Sequence, residues 1–269
     1  MPELPEMENY KIRLEDKLLQ QVITDVQINR EKSINLQPEL FKNTVHRQKV
    51  VMIIRRGKQL LFHLENGYVL LVHLMLGGWM FFGSESEKPK RTIQVSLSFG
   101  EEHLYFIGLR LGYLHLLSQK EVEEKLAHLG PEPLDTDFSL NKFLLRIKTK
   151  HGRLKTALLD QEFIAGIGNC YSAEICFQAA INPIKNIDEI TTESATKLYQ
   201  SMLLVLKNAI KHGGYMGNPV HHGDTVTGRY NQQCQVYDRE GQSCLRCGAI
   251  IVQTVISSRK TFFCPNCQT

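Results

Sequence analysis

Four cysteines near the end of the chain, Cys244, Cys247, Cys264 and Cys267, form two C-x2-C pairs separated by sixteen residues in "CLRCGAIIVQTVISSRKTFFCPNC". No other feature limits the fold so tightly. Each pair offers two thiolates from one tight turn, and two such turns complete a tetrahedral zinc shell. The residues between the pairs alternate apolar and polar, as a β-hairpin does. The spacing therefore predicts a hairpin stapled by one structural Zn2+, with every coordination position filled by protein. A module this small folds only with its metal. Arg259 lies near the hairpin tip between Ser258 and Lys260, a rigid basic tip suited to gripping phosphate. The other cysteines, Cys170, Cys176 and Cys234, are scattered, and an odd total of seven argues against a disulfide framework and for a reducing compartment.

The 269 residues leave room for two larger domains beside this module, and 42% hydrophobic residues is enough for an ordinary core. No apolar run reaches the ~18 residues of a membrane span. The N-terminus lacks the basic-then-apolar order of a signal peptide. The expectation is a soluble cytoplasmic protein with no membrane partner. A net charge of +4 is too mild to demonstrate a nucleic-acid partner, but its placement in "HRQKVVMIIRRGK", "KPKR", "LLRIKTKHGRLK" and "SSRK" gives four local basic clusters.

Periodicity divides the chain. Residues 5 to about 20 read as one helix, with Pro5 in its first turn and Glu6 and Glu8 at the positive end of its dipole. From there to about residue 118 the pattern is strand-like, in "VVMIIRRG", "QLLFHL", "YVLLVHLML", "TIQVSLSF" and "HLYFIGLRLGYLHLL", with Asn66-Gly67 as a hairpin signal. Short strands separated by turns suggest a β-sandwich. A helix over 121–127 is followed by the Pro- and Gly-containing "HLGPEPLDTD", which marks a boundary. Beyond it the period is helical. Ser139 is placed to cap one helix, and Leu198, Met202, Val205 and Ala209 share a face of another that ends in two glycines. The expected domains are 1–128, 129–214, a loop over 215–233 that is either a linker or a mobile binding loop, and 234–269.

Two stretches carry chemistry. "MPELPE" places a proline second, so removal of Met1 would expose a secondary amine flanked by Glu3 and Glu6. An α-amino group has a pKa near ~8 and keeps a neutral fraction at physiological pH. Such an amine can attack an electrophilic carbon and form a cationic iminium, an electron sink. In "LLDQEFIAGIGNCYSAEICF", Gly166 and Gly168 permit close backbone approach and Asn169 is placed to cap the helix from Cys170, with Lys155 upstream. Helix-start N–H groups bind phosphate; the same turn also serves as a plain helix–turn–helix corner.

Taken in order, "MPELPE", "RRGK", "HLMLGG", "LGPEPL", "LLDQEFIAGIGN", "VYDREGQSC" and "RKTFFCPNCQ" resemble the formamidopyrimidine-DNA glycosylase / endonuclease VIII family of base-excision repair enzymes, over essentially the whole chain. The resemblance implies an α+β protein: an N-terminal two-layer β-sandwich with an N-terminal helix, a helical helix–two-turns–helix domain, and a C-terminal zinc-finger β-hairpin. It implies a protein that binds damaged double-stranded DNA and acts as a glycosylase with AP lyase activity; a monomer is the default expectation. Pro2 would be the nucleophile on the sugar, Glu3 the general acid/base, and Glu6 either a supporting carboxylate or a helix-start acid. Lys58 would contact phosphate and assist proton transfer, and Arg259 would grip the lesion phosphate. Asn169 and Lys155 would clamp the DNA backbone, and His73 is either a phosphate contact or a core histidine.

The lesion-reading parts depart from the family. Leu76 replaces a methionine, and "IGLRLG" puts Leu109 and Leu111 where arginine and phenylalanine are usual. Leucine can wedge between bases but cannot hydrogen-bond the orphaned partner base, so opposite-base discrimination is expected to weaken. Gln94 stands nearest to a usual histidine, and "GGYMGNPVHHGD" differs from the usual base-pocket loop. The rival reading is a DNA-lesion-binding paralogue without turnover.

Overall fold

The computed structural model describes residues 1–269. They form two compact units: Met1–Ala127 with Met216–Gly228, and His128–Tyr215 with Arg229–Thr269.

The first unit is built on helix α1 (Leu4–Leu18), which buries Leu4, Met7, Tyr10, Leu14 and Leu18 at helical spacing. Two four-stranded antiparallel sheets form the sandwich. One has the order β1 (Asp25–Ile28), β6 (Ile93–Phe99), β7 (Glu102–Ile107), β5 (Trp79–Ser84); the other runs β2 (Val50–Arg56), β3 (Gln59–Leu64), β4 (Tyr68–His73), β8 (Tyr113–Ser118). Alternation sends Leu60, Phe62 and Leu64 of β3, Leu70 and Val72 of β4, and Leu104 and Phe106 of β7 into one core with α1. Gly67, at φ 84°, closes the β3–β4 hairpin.

Two parts of this unit differ from the sequence reading. The strand-like run from 103 to 117 is two strands, because Gly108 at φ 71° turns the chain between β7 and β8. Helix α2 (Pro38–Val45) lies inside the region read as strands; Pro38 opens it and Phe41 and Val45, four apart, are its buried face. The short helix α3 is Gln119–Leu126, capped by the Ser118 hydroxyl.

Strand β5 is a sheet edge, and its outward N–H groups are occupied. Met80 N–H donates to the Tyr10 hydroxyl at 3.3 Å, Phe82 N–H to the Val220 carbonyl at 2.7 Å, and Ser84 N–H to Glu87 at 3.0 Å. Residues 216–228, expected within a linker or mobile loop, thus supply part of the first unit's packing.

The second unit holds α4 (Leu140–Lys148), α5 (Leu154–Leu159), α6 (Asn169–Gln178), α7 (Thr192–Lys211) and the hairpin β9 (Val252–Ile256)–β10 (Arg259–Phe263). Ser139 caps α4 and Thr191 caps α7. Leu198, Met202, Val205 and Ala209 are buried along α7, which ends at Gly213 and Gly214, both left-handed. Helix α6 is buried almost all round, and Tyr171 on it begins an aromatic chain through Tyr215 and Tyr237 to Phe262 of β10. No helix is long and apolar enough to cross a membrane.

Candidate nucleic-acid interface and catalytic face

Pro2 immediately precedes the N-cap of α1. Glu3 is that N-cap residue, and Glu6, one turn on, accepts its backbone N–H at 2.8 Å in a capping box. Both carboxylates are buried, with Glu3 2% exposed. The helix start thus fixes two acids beside the residue that becomes N-terminal when Met1 is removed. Lys58 sits in the β2–β3 turn and is 8% exposed. His73 ends β4, edge-on to Tyr113 at 5.5 Å. Burial, together with the charges of Lys58 and Lys125, holds its imidazole down to about 4, so it is neutral at physiological pH.

The three expected wedge leucines separate. Leu76 and Leu111 are 73% and 64% exposed, on the turns that follow β4 and β7. Leu109 is fully buried in the sandwich core and is a packing residue, not a DNA-facing one. Its backbone is pinned as well: its N–H donates to Gln94 Oε1 at 3.1 Å, and its carbonyl accepts from Ser33 and Arg30. Gln94 therefore shapes this turn from inside, being 4% exposed.

In the second unit, the turn before α6 is built by Gln161. Its amide donates to the Leu159 and Ile167 carbonyls and its Oε1 accepts the Gly166 N–H, with Gly166 at φ 91°. Sequence reasoning passed over this glutamine, whose place inside the turn motif was the available signal. The helix N-cap is Gly168, not Asn169; Asn169 is the first helical residue, and its buried Oδ1 has no hydrogen-bond partner. Lys155 is fully buried and donates to the Asn169 carbonyl at 2.9 Å, so it supports the turn that presents Asn169 instead of lying open to solvent.

Arg259 is the first residue of β10, directly after a two-residue tip whose residues Ser257 and Ser258 are both left-handed, the hairpin geometry that matches strand twist. It is exposed and lines a cavity of about 370 Å³ with Lys150, His151, Thr156 and Asp160. Behind the hairpin, Glu174 of α6 is 2% exposed and accepts the backbone N–H groups of Gln235, Val236 and Tyr237 at 2.8, 3.0 and 2.8 Å. Burial pushes this carboxyl above its usual range in spite of the three donors. A lone glutamate in a helix without a polar face gave no sequence signal for this role.

The Sγ atoms of Cys244, Cys247, Cys264 and Cys267 all lie within 4.8 Å of one another. A tetrahedron of sulfurs around zinc has edges of about 3.8 Å, and the Cys244–Cys267 and Cys247–Cys264 separations are 3.9 and 3.5 Å. Backbone N–H groups of Arg246 and Cys267 point at the sulfurs of Cys244 and Cys264, each at 3.4 Å, as thiolate acceptors require. The donor set fits one structural zinc ion and leaves no ligand position for a substrate.

Comparison with known proteins agrees along the whole chain. Residues 1–113 match the formamidopyrimidine-DNA glycosylase N-terminal domain, 129–218 the formamidopyrimidine-DNA glycosylase H2TH domain, and 241–269 the zinc finger found in FPG and IleRS. A formamidopyrimidine-DNA glycosylase of Desulfitobacterium hafniense is 34% identical over 272 residues, all of both chains. One of Bacillus cereus is 32% identical over 274 residues, covering 100% of this chain and 99% of the relative. Among solved structures, a Lactococcus lactis FPG mutant in complex with Fapy-dG containing DNA superposes with a TM-score of 0.92 at 29% identity, covering 100% of both chains. The Lactococcus lactis Fpg with abasic site containing DNA gives the same TM-score and identity over 99% of each chain. From its buried N-terminal acids to its four-cysteine tail, the chain belongs to the formamidopyrimidine-DNA glycosylase family.

Proposed function

We propose that this base-excision DNA glycosylase with AP lyase activity works through the nitrogen of Pro2 on damaged bases in double-stranded DNA. The observation that carries the reading is the buried Glu3–Glu6 capping box directly after Pro2. Helix starts normally expose their capping acids; burying two costs free energy, and that cost beside Pro2 favours a functional role for them.

In the first step the Pro2 amine attacks C1′ of the nucleotide and the glycosidic bond breaks; the base leaves with the bond pair and takes up a proton from water, and Glu3 accepts the proton that the Pro2 nitrogen sheds. Glu3 then gives that proton to the ring oxygen O4′ as the C1′–O4′ bond opens, leaving an iminium between Pro2 and C1′. The iminium acidifies C2′. Loss of a proton there expels the 3′ phosphate by β-elimination, a second elimination expels the 5′ phosphate, and water frees Pro2. Glu6 holds the Glu3 backbone in place. Lys58 contacts phosphate and assists proton transfer, Arg259 grips the lesion phosphate, and Asn169, held by Lys155, binds the DNA backbone. His73, a neutral ring packed edge-on against Tyr113, serves either as a phosphate contact or as a core histidine. The target base must leave the stack, and Leu76 and Leu111 fill its place. Action on damaged DNA is consistent with a cytoplasmic enzyme.

Borohydride trapping on a duplex with an abasic site tests the reading. Wild-type protein should give a covalent adduct that Pro2→Gly reduces or loses. No wild-type adduct, with Met1 shown absent by intact mass, would overturn it in favour of a DNA-binding paralogue.

A further inference from the structure

One end of the β2–β3–β4–β8 sheet carries a row of basic and aromatic side chains. The strand register places Gln59 of β3 opposite His73 of β4, and His73 opposite Tyr113 of β8. Lys58 immediately precedes Gln59 and begins the row. Helix α3 follows β8 and packs back on it, so that Lys125, in its last turn, lies over the Tyr113 ring with Nζ 5.1 Å from the centroid. Tyr113 is edge-on to His73 on one side and stacked on His115 on the other, at 4.0 Å and 24°. Both imidazoles feel the charge of Lys125, and His73 that of Lys58 as well. The row thus has a lysine at each end and neutral rings between.

Lys125 stands apart from the rest of its helix. Glu121 accepts from the Ser118 N–H and hydroxyl, both at 2.7 Å, Glu123 accepts from Gln119 at 3.1 Å, and Glu124 pairs with Lys120 at 3.9 Å. A glutamate four residues before a lysine is its ordinary helix partner, yet the Glu121 carboxylate is taken by the cap. Lys125 rests on an aromatic face instead, which orients an ammonium without neutralising it. The backbone beneath is stiff, because a Cβ on Gly112 would lie 2.4 Å from the His73 carbonyl oxygen. Leu111, exposed beside Gly112, therefore shares one joint with the row.

We propose that Lys125 is a further DNA-binding residue, whose ammonium, aimed by the Tyr113 ring, takes a second backbone phosphate beside the one at Lys58. The proposal rests on the reading of Lys58 as a phosphate contact. A duplex presents one negative charge for about every 1.7 Å of its axis, so a rigid row with two cations meets more than one phosphate. Phosphate contacts position the protein and carry no base information. Lys125 should therefore strengthen binding to damaged and undamaged duplexes alike, unlike a wedge residue, and its contribution should fade with salt.

The test measures dissociation constants of full-length, zinc-loaded protein on an undamaged duplex and on one with a stable abasic-site analogue, across a salt series. Lys125→Gln should weaken binding to both by the same factor, about threefold or more at low salt, and lower the slope of log Kd against log salt by about 0.9. Lys125→Arg should restore the slope. Lys120→Gln, which removes the same charge from the exposed side of the same helix, should leave the slope unchanged. A wild-type slope in Lys125→Gln would show that the lysine only packs on Tyr113. An equal fall in Lys120→Gln would show that net charge alone matters, and a loss confined to the abasic duplex would show a lesion contact. Each of these overturns the proposal. A wild-type slope in Lys58→Gln would overturn the Lys58 reading instead.

Discussion

Gly108 is pressed against Gly77: a Cβ on Gly108 would lie 2.0 Å from the Gly77 carbonyl oxygen. The two turns that carry Leu111 and Leu76 are therefore one platform, locked by backbone contact. A wedge needs this stiffness, because unstacking a base pair costs a few kcal/mol that a yielding loop would absorb. Neither leucine can donate to or accept from the partner base. Excision measured on duplexes with each of the four opposite bases should vary less than tenfold. Strict dependence on cytosine would refute this. Gly108→Ala, at φ 71° and with no room for the methyl, should cost about 2–3 kcal/mol of stability in chemical denaturation.

Metal removal should divide the molecule. The C-terminal hairpin buries only Ile251 and Phe262 beside its cysteines against Ala173 and Phe177 of α6, and its two cysteine turns depend on the four thiolates. Chelation is expected to melt the hairpin, displace Arg259 and abolish DNA binding, while the β-sheet signal of the sandwich persists in circular dichroism. Tight binding by zinc-free protein would contradict this.

The buried glutamate of α6 should be as sensitive. Truncating Glu174 leaves the N–H groups of residues 235–237 without their acceptor, at about 1–3 kcal/mol for each one left buried. Glu174→Ala should lower stability by at least ~2 kcal/mol and raise protease cleavage near residue 235, with zinc content unchanged in purified protein. Wild-type protease resistance would count against it.

Two histidines set an acid limit. Burial, first, and nearby lysine charge hold His73 and His115 down to about 4. Their unfolded forms protonate near ~6.5, so the unfolded state takes up protons first as pH falls. The stability they contribute is present above ~6.5 and is lost as pH falls through about 4. Denaturation midpoints at pH 7, 5.5 and 4 should fall in that order, and His73→Gln should flatten the trend.

Much of this was legible in the residues. The zinc ligands, the α7 face, the Asn66-Gly67 hairpin and the acid pair after Pro2 are local patterns, set by spacing of a few residues, and they survive folding unchanged. What was hidden depends on long-range contacts. Leu109 and Leu111 look equivalent in "IGLRLG", and only the turn at Gly108 sends one inward and the other out. Lys155 reads as a surface cation until the Asn169 carbonyl claims it. Lys58 and Lys125 are more than sixty positions apart, and no periodicity joins them.

Strand β5 is covered along its free side by a tyrosine hydroxyl, a carbonyl from residue 220 and a carboxylate. An uncovered edge of that length is a template onto which a strand from another chain can add, the first step toward aggregation. Crowded against its own copies in a cell, this sandwich offers nothing there to grow from. Variants that loosen Val220 would therefore be expected to precipitate before they unfold.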